Sequence, residues 1–310
     1  DFIELMRGTL AALGMTEELS FSFTSEKTLD KLGVPADSEL RQAIPIMNPL
    51  TDEYPLIRTT LLTSVLENAS RNVARKNMDL RLFDIAPVFF PKALPITELA
   101  DEKLMVAGLI TGRRNPIAWD TDNAMVDFYD LKGIVERFLT AIGVSKYTVE
   151  RGEHFAMHPG KTALFKKGRD VIAILGEIHP SVAANFDIPQ SVCVFEMEVD
   201  TLLRYRKKRS AIAALPKYPA STRDLAVLVD AGLTTAEIER VIAKKGGKFF
   251  RGATLFDVYT GKQVESGKKS MAFHLHFQSD DKTLTDEEVD AAFADILAAA
   301  QSQLHAQLRA

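Results

Sequence analysis

A few short stretches of this chain carry residue types whose spacing could do chemistry. His154 and His158 stand four apart with Glu153 beside them, a spacing that on a helix presents two imidazoles to one metal ion. Pro159 follows at once and the surrounding pattern is that of a loop, so a shared helical face is not expected. No third ligand lies nearby, whereas a metal site takes three or four. Gly160-Lys161-Thr162 ends like a phosphate-binding loop. That loop needs a glycine five residues before Gly160, where Phe155 stands, so a turn after Pro159 is expected instead. Cys193, the one cysteine, sits in the apolar run Val192–Phe195. A buried structural thiol is expected there, and an intrachain disulfide is excluded. His274 and His276 share a strand face, where polar surface roles are expected ahead of metal ligation. No Gly-x-Gly occurs, which excludes a dinucleotide fingerprint.

The remaining chemistry is cationic. Lys244, Lys245, Lys248 and Arg251 form one cluster, and Lys262, Lys268 and Lys269 another. Phosphate contacts need such clusters, although solvated turns are the plainer reading. Asp286, Glu287, Glu288 and Asp290 gather where a helix is expected to begin, and the macrodipole favours them there. The net charge of −4 argues weakly against a general nucleic-acid binder but leaves room for a local basic patch.

The elements that must position these residues can be read from periodicity. Phe2, Leu5, Met6, Leu10 and Leu13 have helical spacing, with Gly14 as a stop. Leu19–Ser25 alternates as a short strand with Leu19, Phe21 and Phe23 on one face. Leu56–Lys76 reads as a long helix whose stripe includes Leu61, Leu62, Val65, Leu66, Ala69 and Val73. Leu80–Phe90 is a strand interrupted or ended by Pro87, and Leu104–Ile110 is another strand. Asp130–Ile142 is an amphipathic helix closed by Gly143. Tyr147–Glu150, Ala163–Phe165, Val171–Ile178 and Val192–Val199 read as strands, with a helical turn at Pro180–Phe186.

A basic stretch, Arg204–Arg209, precedes AIAALPKYP and is the expected linker. Beyond it, Leu225, Val227 and Val229 mark a strand, and Thr234 with Glu237 makes a capping box for a helix. Thr254–Tyr259 is a strand. Lys269–Phe277 puts Met271, Phe273, Leu275 and Phe277 on one face and Ser270, Ala272, His274 and His276 on the other. A second box, Thr285 with Glu288, opens the last helix; Gln303–Arg309 either extends it or forms a closing strand through Leu304, Ala306 and Leu308, with a strand expected for its last few residues. The order βαββαβ is the ferredoxin-like split motif, whose sheet has one helix-covered face and one open face.

With 310 residues, 46% hydrophobic and 26% charged, two globular domains are expected. No apolar run approaches the roughly 20 residues of a membrane helix, and no signal peptide is visible. The lone cysteine suits a reducing, cytoplasmic setting. The chain starts at Asp1 without an initiator methionine, as a portion of something longer would.

Taken together, PKYPASTRDLAVLV, LFDVYTG and KKSMAFHLHFQSDDKTLTDEEV resemble the ferredoxin-fold anticodon-binding domain that ends the beta subunits of bacterial phenylalanyl-tRNA synthetases. Met47–Arg75, LRLFDIAPVFF, Phe128–Leu139, HPGKTA and LGEIHP are similar, in the same order, to the module just upstream in that family. The resemblance covers essentially all of the chain. It implies an α+β fold, with an inactive class II synthetase-like antiparallel sheet and helices over residues 1–205. A ferredoxin-fold anticodon-binding domain over residues 213–310 would follow.

What the resemblance implies about function is specific. A class II active site needs a Phe-Arg-x-Glu arrangement on one strand, where this chain has Arg81-Leu82-Phe83-Asp84, and a glycine-rich third motif, which is missing. The chain is therefore expected to be non-catalytic and to bind no cofactor, ATP and magnesium belonging to the complete enzyme. Its expected partners are the alpha subunit, in an alpha2-beta2 heterotetramer, and the tRNA for phenylalanine, with no membrane. The expected tRNA contacts are Lys217, Arg223, Lys244, Lys248, Arg251, Lys268 and Lys269. Arg223 has a structural alternative as a partner of Asp224 or a cap on the sheet edge. Leu61, Leu62, Val65, Leu66 and Val73 are expected to face the alpha subunit. The competing reading is an assembly module without RNA contact.

Overall fold

The computed structural model describes residues 1–49, 51–207, 215–261 and 264–308, in two units, Asp1–Ser210 and Ala211–Ala310. The expected linker is described as far as Lys207; Lys208 and Arg209 lie outside the described residues, as does Lys262.

The first unit begins with α1 (Phe2–Ala12), β1 (Thr16–Glu17), β2 (Phe23–Thr24), α2 (Glu26–Leu32) and β3 (Leu56–Ile57). It continues through α3 (Leu62–Ala74), β4 (Leu80–Phe90), β5 (Asp101–Thr111), α4 (Phe128–Ala141), β6 (Thr148–Arg151) and β7 (Met157–Lys167). It ends with β8 (Asp170–Ile178), α5 (Pro180–Asn185), β9 (Val192–Glu198) and α6 (Val199–Tyr205). Seven strands form one sheet in the order β1-β4-β5-β9-β8-β7-β6. All neighbours are antiparallel except β1 and β4.

Both faces of this sheet are covered. One carries α1, α4 and α6, whose Met6, Phe138 and Leu202 join Phe83, Ile110, Phe165 and Phe195; the other carries α2, α3 and α5, whose Leu29, Leu62, Leu66 and Val182 join Leu109 and Val194. A strand buried on both sides needs apolar residues at successive positions, which is why β9 opens Val-Cys-Val-Phe. Gly108 is required by this packing, since a Cβ there would lie 2.5 Å from the Phe195 ring.

Several elements depart from the sequence expectation, each for a physical reason. The long helix starts at Leu62, not Leu56, because Leu56 and Ile57 pair with Thr24 and Phe23. Arg58 then turns inward and is 1% exposed. It donates to the Pro87 carbonyl (3.0 Å), Ser20 Oγ (2.6 Å) and Ser64 Oγ (3.3 Å), and its guanidinium lies 3.8 Å from the Asp84 carboxylate. Leu19–Ser25 is not a strand throughout: the Glu18 N–H donates to the Phe83 carbonyl, and only Phe23 and Thr24 pair thereafter. Leu19 and Phe21 end up exposed. Pro87 does not end β4, which runs on to Phe90. Its missing N–H costs no rung, because the Phe89 N–H and the Pro87 carbonyl point to Arg58, away from β5. The expected turn after Pro159 is instead a register shift inside β7.

The second unit runs β10 (Ser221–Asp230), α7 (Thr235–Lys245), β11 (Phe250–Tyr259), β12 (Lys268–Phe277), α8 (Asp286–Leu304) and β13 (Gln307–Leu308). Its antiparallel sheet has the order β11-β12-β10-β13, so βαββαβ closes as the ferredoxin-like fold. Both capping boxes form, the N–H of Glu237 donating to Thr234 Oγ1 and that of Glu288 to Thr285 Oγ1. Each such cap contributes about 1 kcal/mol. Leu225, Val227, Val229, Met271, Phe273, Leu275 and Phe277 meet Ile238, Ile242, Val289 and Ile296 beneath the helices.

Candidate nucleic-acid interface

Strand alternation in the second unit leaves one face of its sheet uncovered by α7 and α8. In the β10–β12 register Thr222 pairs with His276, Asp224 with His274, and Ala226 with Ala272; these positions have the parity opposite to the buried core. A register shift between Leu255 and Asp257 inserts Phe256 into β11. Its ring is turned onto His274, with centroids 3.9 Å apart and planes 14° from parallel. On the other side His274 Nδ1–H donates to Asp224 Oδ1 at 2.6 Å, the assignment that a carboxylate acceptor requires. Phe256 is half exposed. An aromatic face held in place by an imidazole, itself held by a carboxylate, can accept a nucleobase by stacking, worth about 1–3 kcal/mol per base.

The expected cationic contacts divide on inspection. Arg223 lies within β10, not in the entering loop, and has the parity of the covered face. It is tied to the start of α8, donating to Asp290 Oδ1 (2.8 Å) and Asp286 Oδ1 (2.9 Å), and it has no ion pair with Asp224. Arg251 at the start of β11 pairs with Asp280 at 3.0 Å, and Lys268 at the start of β12 with Glu265 at 2.7 Å. Lys217, Lys244 and Lys248 are exposed and enter no ion pair among the described residues; the Lys248 ammonium lies over the Phe249 ring. Lys269 is half-buried on β12, one position out of parity with the open face. The β-register sets Lys268 and Lys269 opposite Asp230 and Val229, the end of β10 far from Ser221 and Phe277. The cations thus do not form one patch. Asp224, Phe256 and His274, absent from the expected set, do meet; the bulge that creates their contact leaves no local sequence signal.

The α3 stripe requires a correction. Leu61, Leu62, Val65 and Leu66 are at most 1% exposed and Val73 is 7% exposed within the chain itself. Their apolar surface is spent on the core under α3, so they present nothing to another subunit. Leu61 also marks an unusual helix start, since α3 has no side-chain cap of its own. Glu196 on β9 supplies one, accepting from Leu61 N–H and Thr60 Oγ1, both at 2.9 Å. Burial pushes this carboxyl above its ordinary range.

Two other sequence candidates are absorbed by structure. Lys161 Nζ pairs with Glu177 at 2.6 Å and Thr162 Oγ1 donates to the His158 carbonyl, so Gly160-Lys161-Thr162 is strand, with no phosphate loop. His154 Nδ1 accepts from Ala156 N–H, and burial lowers its pKa to about 4. His158 Nδ1 accepts from Gly160 N–H. No cluster of three or more metal-ligating side chains occurs among the described residues. Nor do the residues on β4 fit an ATP phosphate: Arg81 donates to the Arg114 carbonyl, Phe83 is core, and Asp84 is 2% exposed beside Arg58. Among the described residues no helix is long and apolar enough to cross a membrane.

Comparison with known proteins accounts for both units. Residues 1–199 match the family model of the phenylalanyl tRNA synthetase beta chain CLM domain, and residues 216–309 that of the ferredoxin-fold anticodon binding domain. The chain is 37% identical over 309 residues to the phenylalanine–tRNA ligase beta subunit of Syntrophotalea carbinolica, covering 99% of this chain and 38% of that one. It is likewise 37% identical to the beta subunit of Clostridium acetobutylicum, covering 99% and 37%. Among solved structures, pyrrolysyl-tRNA synthetase from Desulfitobacterium hafniense superposes with a TM-score of 0.50 at 15% identity, over 65% of this chain and 67% of that one. That likeness concerns the fold, a class II synthetase-like sheet. The chain spans less than two fifths of the length of these curated relatives, and it belongs to the family of phenylalanine–tRNA ligase beta subunits.

Proposed function

We propose that this chain is the part of a phenylalanine–tRNA ligase beta subunit that docks the anticodon region of the tRNA for phenylalanine and supports the alpha subunit. Residues 1–205 form its inactive synthetase-like domain and residues 213–310 its anticodon-binding domain. Charging takes place in the cytoplasm, in an alpha2-beta2 assembly that uses ATP and magnesium; this chain contributes no catalytic group.

The observation that carries the reading is the open sheet face of the second unit, where Phe256 stacks on His274 and His274 is fixed by Asp224. The face belongs to a module whose family model is an anticodon-binding domain. Lys217, Lys244 and Lys248 remain proposed phosphate contacts, and Lys269 is proposed with them from its place on β12; Arg223, Arg251 and Lys268 are already engaged by carboxylates. Those engaged cations and the net charge of −4 are what favours the competing reading, an assembly module without RNA contact. Titration of the chain with the anticodon stem-loop separates the two: binding that Phe256→Ala weakens supports docking, and no binding supports assembly alone.

A further inference from the structure

The basic run expected as a linker is not only a linker. Its described part joins two other segments of the first unit. Lys207 N–H donates to the Gly143 carbonyl at 3.0 Å, setting the end of α6 against the α4–β6 loop. That approach requires glycine at position 143, where φ is +88° and a Cβ would lie 2.5 Å from the Lys207 carbonyl oxygen. The β7–β8 turn closes on both. Lys167 Nζ donates to the carbonyls of Ser145 and Lys146 and lies 5.7 Å from the Tyr205 ring centroid. Asp170 Oδ2 accepts from Tyr205 Oη and from Arg204 Nη1, each at 2.9 Å.

This packing brings Lys146, Lys167, Arg169, Arg204 and Lys207 to one surface, where Asp170 is held by Arg204 and Tyr205. Lys146, Arg169, Arg204 and Lys207 are exposed. The neighbouring Lys166 is matched by Glu150 at 2.9 Å, so it leaves the excess unchanged. A surplus of positive charge on three converging turns stands out in a chain of net charge −4. A field of one sign fits a polyanion with evenly spaced charges. Among the described residues, large exposed apolar side chains on these segments are limited to Val171 and Leu203, whereas protein interfaces are organised around aromatic and apolar anchors.

We infer that this surface of the synthetase-like unit binds the phosphodiester backbone of RNA, as a second tRNA contact separate from the open face of the other unit. The inference rests on the RNA-docking reading above. Phosphate contacts of this kind carry affinity and salt dependence but no base specificity.

The test uses the full chain with Lys146→Gln, Arg169→Gln and Lys207→Gln combined. None of the three makes a side-chain ion pair among the described residues, so an unaltered melting profile is expected. Binding of whole tRNA and of the isolated anticodon stem-loop is measured across a salt series. For whole tRNA the variant is expected to lose about tenfold or more in affinity, with the slope of log K against log salt shallower by about 2 to 3 units, from three lost phosphates. Stem-loop binding is expected to stay as in the parent. Unchanged affinity and slope for whole tRNA overturn the inference while leaving the open-face reading intact. A patch-dependent loss for whole tRNA with no stem-loop binding by the parent supports the patch and sinks the open-face reading. Unchanged tRNA binding with weakened capture of the alpha subunit reassigns the patch to an acidic protein surface and also overturns the inference. Should the triple variant fold poorly, Arg169→Glu alone applies the same test with a smaller expected change in slope.

Discussion

The ring of His274 lies face to face with that of Phe256 on the uncovered side of the ferredoxin-like sheet, 3.9 Å between centroids. Asp224 holds the imidazole from the neighbouring strand at 2.6 Å. The three residues come from three strands, and the proposed docking face uses them as one platform. Asp224→Ala should weaken stem-loop binding about threefold, less than Phe256→Ala. In a His274→Ala background the Asp224 substitution should add almost nothing, because residues in one hydrogen-bonded row are not additive. Full additivity in a double-mutant cycle would contradict a shared platform.

Arg223 is one of the tRNA contacts expected from the sequence, and the structure gives its guanidinium carboxylate partners. It joins β10 to the first turn of α8 through Asp286 and Asp290. Exposed pairs contribute little, about 0.2–1 kcal/mol, but this one is doubly bonded from a partly buried guanidinium. Arg223→Ala should therefore lower the stability of the second unit by about 1 kcal/mol. It should leave the salt dependence of tRNA binding unaltered, whereas Lys248→Gln should reduce that slope by about one unit or less. Urea unfolding and a salt titration read the two effects separately.

Leu66 tests whether the α3 stripe is core or interface. As a core residue it is 0% exposed, so Leu66→Ala should destabilise the first unit by about 2–5 kcal/mol. An interface residue would instead weaken assembly with the alpha subunit while sparing the melting of the isolated chain. The Glu196 cap is tested in parallel. Glu196→Ala strips the acceptor from Leu61 N–H and Thr60 Oγ1 and should cost about 1–3 kcal/mol or more. Glu196→Gln, which keeps an acceptor oxygen, should cost distinctly less.

Glu18 gives the first unit a pH dependence. Both carboxyl oxygens are buried, and Asn68 faces them without hydrogen-bonding geometry. Burial, with Asp84 adding to it against Arg71 and Arg58, raises the carboxyl from 4.5 to about 7. A folded-state pKa above the unfolded one means the native protein binds the proton more tightly. The resulting stabilisation is in full effect below about pH 4.5 and is lost as pH rises through about 7. Glu18→Gln should accordingly gain stability at pH 8, by about 1–3 kcal/mol after allowance for partial exposure. The gain should shrink towards pH 5. Equal effects at both pH values in denaturant unfolding would contradict a protonated Glu18.

What the sequence made legible was whatever repeats locally. The Thr234/Glu237 and Thr285/Glu288 boxes and the alternation of Met271, Phe273, Leu275 and Phe277 need only near neighbours, and all stand in the fold. The α3 stripe was read correctly as apolar, yet period alone cannot say whether such a stripe meets its own sheet or another subunit. The losses are all nonlocal. Glu196 caps a helix more than a hundred residues upstream, Arg58 is buried by a serine and a carbonyl from distant segments, and Phe256 reaches His274 through a bulge. Arg223 found its carboxylates 63 and 67 residues further on, not at its neighbour Asp224.

The central claim is that the open face of the second unit receives the anticodon loop. Equilibrium titration of the full chain and of its Phe256→Ala variant with the anticodon stem-loop, at one fixed salt concentration, tests it most directly. Saturable binding by the parent and a loss of about fivefold to a hundredfold in the variant, at unchanged melting temperature, is the expected result. Equal affinity of the two proteins, or no saturable binding by the parent, would contradict it.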